Sequence, residues 1–86
     1  IKTAEQVRDI VSWCRYPPVG SRGLGPFRAS RYELDFENYY NRANDEIAVI
    51  VQIETVEAVE NLDAILAVPG LDALFVGPAD LSATMG

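Results

Sequence analysis

Apolar residues recur at helical spacing in the first part of the chain. Between residues 3 and 15 they form one stripe, and Thr3 with Gln6 has the spacing of a capping box. The pair Pro17-Pro18 ends this pattern, because a proline disfavours helical geometry at the residue before it. We therefore predict a helix over residues 3–15.

Residues 16–31 have no regular pattern and are rich in proline and glycine. Connections of this length in compact domains are often functional. Within it, residues 21–25 (SRGLG) have some likeness to an anion-binding glycine loop, but they lack the spacing and the Lys-Ser/Thr pair of a P-loop. No strand precedes them either, so a structural or subunit-contact loop is the favoured interpretation.

An aromatic-rich stretch, YELDFENYYNRAN, begins at residue 32. Asp35 is a suitable N-cap, and Phe36, Tyr39 and Tyr40 then share one helical face. We predict a short helix over residues 35–44 whose aromatic face is buried or lies at an interface. Aromatic residues at this spacing usually belong to a core, so a role in stacking on a substrate is not favoured.

Two runs of strand-type residues occupy the second half of the chain, residues 47–53 and residues 71–76. The first is almost wholly apolar and β-branched, which is typical of a parallel strand buried on both faces. The other predicted elements are a helix over residues 55–66, capped by Thr55 and with a candidate restart at Asn61, and a helix start over residues 78–86. This succession predicts an α/β fold with a parallel sheet, for which two strands alone are too few.

Charge and hydropathy argue against two classes of partner, nucleic acids and membranes. The formal net charge is −6; all seven basic residues precede residue 43, and the last 43 residues carry eight acids. Such a chain lacks the basic surface that nucleic-acid binding requires. No apolar run approaches the roughly 20 residues of a membrane helix, so neither nucleic acid nor membrane is a predicted partner.

The single cysteine and the lack of histidine bear on the chemistry. Cys14 has no partner for an internal disulfide, which fits a reducing, cytoplasmic setting, and we expect it to pack rather than react. Without histidine, a metal here would take oxygen ligands, which favours Mg²⁺ or Mn²⁺ over Zn²⁺. The chain opens on Ile1, without a methionine, and stops at Gly86, soon after the polar residues described next. We therefore expect it to be an internal piece of a longer protein.

Polar residues end both predicted strands. Glu54 follows the first strand and Asp80 the second, about one strand–helix repeat later. The carboxyl ends of parallel strands meet at one sheet edge, where α/β folds bind ligands. Gln52 shares the strand face of Glu54, and Ala79 and Asp80 can present backbone N–H groups at a helix start. From spacing alone, a metal site and a pair of structural carboxylates are equally open interpretations.

Three segments, YPPVGSRGLGPFRAS, VQIET and VPGLDALFVGPADLSATMG, resemble those of the HpcH/HpaI aldolase family, which includes the citrate lyase β-like proteins. The likeness covers essentially the whole chain, and QIET paired with GPADLS at this separation is its most specific part. It implies a partial TIM (β/α)8 barrel of the phosphoenolpyruvate/pyruvate-binding type, with about a third of the barrel present. It also implies assembly as a homo-oligomer.

The resemblance assigns roles to the residues at the strand ends. It implies that Glu54 and Asp80 are metal ligands, that Gln52 contacts the substrate, and that the N–H groups of Ala79 and Asp80 bind its carboxylate. The metal would be Mg²⁺ or Mn²⁺, with Co²⁺ also compatible. The catalytic base and an enolate-stabilising arginine would lie outside these 86 residues, so we expect the segment alone to be inactive.

The implied activity is that of a class II aldolase, a carbon–carbon lyase. Such an enzyme cleaves 4-hydroxy-2-oxo acids, for example 4-hydroxy-2-oxoheptanedioate, to pyruvate and an aldehyde through a metal-stabilised enolate. Its small-molecule partner is therefore a 2-oxo acid with a pyruvate moiety. Two alternatives stay open: an acyl-CoA lyase of the citrate or malyl type, and a non-catalytic fragment.

Overall fold

A computed structural model describes residues 1–86. It contains five helices and two strands: α1 (Ala4–Cys14), α2 (Phe36–Glu46), β1 (Ile50–Ile53), α3 (Val56–Glu60), α4 (Leu62–Leu66), β2 (Ala73–Val76) and α5 (Pro78–Met85). Backbone contacts divide the chain into a sheet unit, Ile1–Val11 with Ala48–Gly86, and a loop unit, Ser12–Ile47. None of the helices combines the length and hydropathy needed to cross a membrane. That residues 1–86 form a single domain stays a prediction.

The sheet unit is built on a parallel strand pair. β1 and β2 are hydrogen-bonded neighbours, and their register places Gln52 opposite Phe75 and Ile53 opposite Val76. Helices α3 and α4 form the crossover that a parallel connection requires, which confirms the predicted α/β class. The buried core lies on one face of this pair and consists of Val7, Val51, Ile53, Ala58, Ile65 and Val68.

The opposite face of the sheet is open. Ile50 and Phe75, which point to that side, are 59% and 61% exposed. The expectation of a first strand buried on both faces is wrong for these 86 residues, because the helices pack only against the face that carries Val51 and Ile53. Parallel sheets normally bury both faces, and in this segment only one of the two is covered.

Local side-chain bonds set two of the helix starts. The Gln6 N–H donates to Thr3 Oγ1 at 3.2 Å, and the Ala58 N–H donates to Thr55 Oγ1 at 3.1 Å. The N-caps predicted at Thr3 and Thr55 are therefore confirmed. Asp35 also occupies the N-cap position of α2, but its side chain makes no capping bond.

Several elements differ from their predicted bounds: α2 extends to Glu46 rather than residue 44, and β2 begins at Ala73 rather than residue 71. Two further differences have a local cause. β1 begins at Ile50 rather than at residue 47, because the Val49 N–H donates to the Asp72 carboxylate at 2.7 Å instead of to a strand carbonyl. The predicted helix over residues 55–66 is divided into α3 and α4 at Asn61, which is the C-cap of one and the N-cap of the other, so the restart predicted at this residue is confirmed.

Tyr16 is the centre of the loop unit. Its side chain is fully buried, and its hydroxyl shares a 2.8 Å hydrogen bond with that of Tyr39. The Tyr16 N–H donates to Asn44 Oδ1 at 2.7 Å, and Asn44 Nδ2 donates to the Tyr16 carbonyl at 3.1 Å. The rings of Tyr39 and Tyr40 lie 6.0 and 5.7 Å from the Tyr16 ring, so the aromatic face of α2 packs on Tyr16 and is half-buried.

Tyr16 makes the stability of the loop unit sensitive to alkaline pH. Burial raises the pKa of its phenol above the ordinary value of 10.0 and the bond with Tyr39 raises it further, whereas the charge of Arg22, 4.7 Å from the ring centre, lowers it. Because the folded-state pKa exceeds the unfolded one, this stabilisation is complete below about pH 10 and is lost as the pH rises through the folded value.

We therefore expect the free energy of unfolding to fall above about pH 10, and to fall less steeply in Tyr16→Phe. At neutral pH this variant should lose about 1 kcal/mol with the hydroxyl hydrogen bond. Urea titrations across the alkaline range measure both effects. Tyr32→Phe, at an exposed ring, is the matched control and should keep the wild-type slope; equal slopes in Tyr16→Phe and wild type would contradict the prediction.

Candidate active site

Two predicted site residues lie at the end of β1. Gln52 is exposed on the open face of the sheet, and Glu54, directly after the strand, is half-buried. Side chains alternate along a strand, so the two residues share that face. The Glu54 carboxylate has no ion pair and no side-chain hydrogen bond within the chain, which leaves its oxygens available to a ligand.

These side chains meet at Gly77, the residue directly after β2. It is buried, and its N–H donates to the Ile53 carbonyl at 2.9 Å, so the strand pairing continues to this residue. A Cβ atom on Gly77 would lie 2.7 Å from Gln52 Nε2 and 3.3 Å from Glu54 Oε2. The amide of Gln52 and the carboxylate of Glu54 therefore converge on one backbone position.

Helix α5 starts directly after this glycine. The Leu81 N–H donates to the Gly77 carbonyl at 2.9 Å, and the first turn contains Ala79 and Asp80, both exposed. N–H groups in the first turn of a helix have no helical carbonyl partner and favour a bound anion. Thr84 Oγ1 accepts a bond of 3.2 Å from the Val56 N–H, which ties α5 to the start of α3.

The structure thus brings two of the four predicted residues together and places the other two on the adjoining turn. Gln52 and Glu54 meet at Gly77, while Ala79 and Asp80 follow this glycine at the helix start. Asp80 makes no hydrogen bond or ion pair with Glu54, so coordination of one ion by both carboxylates stays a prediction. No role in the site was assigned to Gly77 from the sequence.

The chemistry of these side chains fits a divalent metal with oxygen ligands. The chain has no cluster of three or more His, Cys, Asp or Glu residues that could hold a metal ion. Mg²⁺ commonly binds proteins through one or two carboxylates, with substrate oxygens and water as its other ligands. Glu54 and Asp80 supply that number, and no lysine or arginine occurs in the last 43 residues to neutralise them.

The HpcH/HpaI aldolase/citrate lyase family matches this chain over residues 1–86. The chain belongs to this family. Among relatives of this HpcH/HpaI segment, the 2-keto-3-deoxy-L-rhamnonate aldolase of Klebsiella pneumoniae is 54% identical over 88 residues. The 4-hydroxy-2-oxovalerate aldolase of Novosphingobium aromaticivorans is 55% identical over 86 residues. The matches cover 100% of this chain but only 33% and 32% of those two proteins.

The fold agrees with that of a solved family member. The HpcH/HpaI aldolase/citrate lyase family protein from Burkholderia cenocepacia superposes with a TM-score of 0.91 at 40% identity, over 100% of this chain and 35% of that one. The HpcH/HpaI segment therefore spans about a third of the proteins it matches, and the predicted partial TIM barrel is confirmed. In such a barrel the helices form the outer ring, so the open sheet face with Ile50 and Phe75 is the interior face.

Proposed function

We propose that the protein is a divalent-metal-dependent aldolase that cleaves 4-hydroxy-2-oxo acids to pyruvate and an aldehyde. The observation that carries this proposal is the convergence of Gln52 and Glu54 on Gly77, directly before the helix start with Ala79 and Asp80. A carboxylate, an amide and two unpaired N–H groups are suited to a metal and a 2-oxo acid. The aldolase names of the two relatives favour this activity over an acyl-CoA lyase.

In this proposal Glu54 and Asp80 hold the metal, which is Mg²⁺ or Mn²⁺ because carboxylate oxygens suit these ions. The bound ion supplies Lewis-acid stabilisation of the negative charge that develops on substrate oxygens. The N–H groups of Ala79 and Asp80 receive the carboxylate of the 2-oxo acid at the helix start. The Gln52 amide donates a hydrogen bond to the substrate and adds no charge to the site.

The proton chemistry is assigned to groups outside these residues. The chain has no histidine, and the guanidinium of Arg22 lies over the Tyr16 ring in the loop unit. A general base must reach the 4-hydroxyl proton of the substrate, and none of the residues at Gly77 is suited to that role once the carboxylates hold a metal. We therefore propose that the segment alone is inactive and that the complete barrel, as a homo-oligomer, is the enzyme.

Release of pyruvate from 4-hydroxy-2-oxo acids tests the proposed function. The full-length protein is incubated with 4-hydroxy-2-oxoheptanedioate or 4-hydroxy-2-oxovalerate and Mn²⁺, and pyruvate is measured with lactate dehydrogenase and NADH. We expect turnover that falls to background after dialysis against EDTA and returns when Mn²⁺ or Mg²⁺ is added. Turnover unaffected by EDTA would contradict the metal assignment, and cleavage of an acyl-CoA substrate alone would favour the lyase.

A further inference from the structure

We propose that Gly77 is a positioning residue: the missing side chain at this position leaves the space in which Gln52 and Glu54 take up their places. The inference rests on the proposed function of those two residues. It adds a requirement that the motif alone does not reveal, since a glycine between a strand and a proline is ordinarily explained by the turn that it forms.

The backbone of Gly77 does not itself require glycine. Its φ is −95° and its ψ is 88°, and a negative φ of this size is adopted by other residues as well. Gly70 is the contrasting case in the same unit, because its φ of +90° lies in the region that favours glycine. The reason for a glycine at position 77 must therefore be sought in the space around it.

That space is occupied by the two side chains. A Cβ on Gly77 would lie 2.7 Å from Gln52 Nε2, 3.2 Å from Glu54 Cβ and 3.3 Å from Glu54 Oε2. Non-bonded heavy atoms pack best at about 3.5–4.0 Å, so the first contact is an overlap and the other two are tight. A methyl group at this position would displace the amide of Gln52 and crowd the carboxylate of Glu54.

The backbone at Gly77 has little freedom to retreat from such a contact. Its N–H is bonded to the Ile53 carbonyl and its carbonyl accepts from the Leu81 N–H, each at 2.9 Å, and the residue is buried. Movement would break the last bond of the strand pair or the first bond of α5. The Gln52 amide is the end of a flexible side chain, so an added methyl group shifts the functional side chains before it shifts the strand.

Gly77→Ala in the full-length protein should therefore weaken the site without unfolding it. Residues that orient metal ligands typically change metal affinity about 10- to 100-fold when mutated, and we expect a loss in this range for Mn²⁺, measured by isothermal titration calorimetry. The KM for the 2-oxo acid should rise because the Gln52 amide is displaced. Gly23→Ala is the matched control, since a Cβ there would meet no atom within 4 Å.

A double-mutant cycle shows whether Gly77 acts through Gln52. In a Gln52→Ala background the overlapping amide is absent, so Gly77→Ala should raise the KM much less than it does in the wild type. An equal rise in KM in both backgrounds, accompanied by a lower unfolding temperature, would mean that Gly77 only supports the backbone and would overturn the proposal. If Gly77→Ala alone fails to fold, the double variant must fold with a KM close to that of Gln52→Ala; failure of both to fold also overturns it.

The outcomes separate this inference from the proposed function. Absence of pyruvate release by the wild-type protein would refute the aldolase, whatever the variants do. Wild-type release together with unchanged Mn²⁺ affinity and unchanged KM in Gly77→Ala would refute the role of Gly77 and leave the aldolase standing.

Discussion

Replacing Glu54 with glutamine in the full-length protein is expected to lower metal-dependent pyruvate release by about 10³-fold or more. The substitution keeps the size of the side chain and removes its charge, and an uncharged amide oxygen is a much weaker ligand for Mg²⁺ or Mn²⁺. Lewis-acid stabilisation by a metal contributes several kcal/mol, and each 1.36 kcal/mol corresponds to a tenfold change in rate. Asp80→Asn should have an effect of the same order.

The matched control is Glu57→Gln, which makes the same chemical change on the exposed surface of α3. Its turnover should equal that of the wild type. Calorimetry with Mn²⁺ completes the experiment, because the loss of turnover in Glu54→Gln should be accompanied by weaker binding of the ion. Unchanged turnover in either Glu54→Gln or Asp80→Asn would remove that carboxylate from the metal assignment.

Ile65→Ala is expected to lower the free energy of unfolding by about 2–5 kcal/mol, the range for removal of a buried isoleucine side chain. Ile65 is 0% exposed and belongs to the core cluster that also contains Val7 from α1 and Val51 from β1. Truncation leaves a cavity among residues from separate elements, which the backbone relaxes only partly to fill. Urea titration of the full-length protein at neutral pH measures the loss.

The neighbouring residue offers the control. Leu66 is 55% exposed, so Leu66→Ala should change the free energy of unfolding by no more than about 0.5 kcal/mol. Similar losses in Ile65→Ala and Leu66→Ala would show that the core is centred elsewhere in the complete barrel.

Helix N-caps could be predicted from the sequence, because the capping residue and the N–H that it binds lie within one helical turn. The capping bond forms only where the backbone of the capping residue has a suitable conformation. Thr55 has an extended conformation, with φ −133° and ψ 154°, and this geometry directs its hydroxyl toward the Ala58 N–H. Asp35 has a ψ of 33°, outside the extended region, and its carboxylate instead accepts from Asn38 Nδ2 at 3.4 Å. The residue type therefore predicted correctly that Thr55 and Asp35 occupy N-cap positions, but only Thr55 makes the capping hydrogen bond.

Features that depend on distant partners could not be predicted. Tyr16 is central in the loop unit because of Tyr39 and Asn44, which follow it by 23 and 28 residues. Nothing near Tyr16 distinguishes a core tyrosine from one that merely ends a helix. The open face of β1 is a similar case, since an apolar run has the same appearance whether or not the residues that would cover it lie in the same segment.

The candidate site was predictable only where it depends on local geometry along one strand. Alternation along a strand was enough to place Gln52 and Glu54 on one face. The proximity of Gly77 depends on the register of β1 against β2, in which Ile53 lies opposite Val76. A slip of one residue would set a different backbone position beside Glu54, and only the folded pairing decides between the two.

Asn44 closes the loop unit through its side-chain amide. Its amide group bonds both the N–H and the carbonyl of Tyr16, so the two ends of the intervening segment are fastened to each other whatever lies between them. The entropy cost of closing a loop grows only slowly with its length. The segment between Tyr16 and Asn44 can therefore be irregular over much of its length without separating Tyr16 from the aromatic rings of α2 that pack against it.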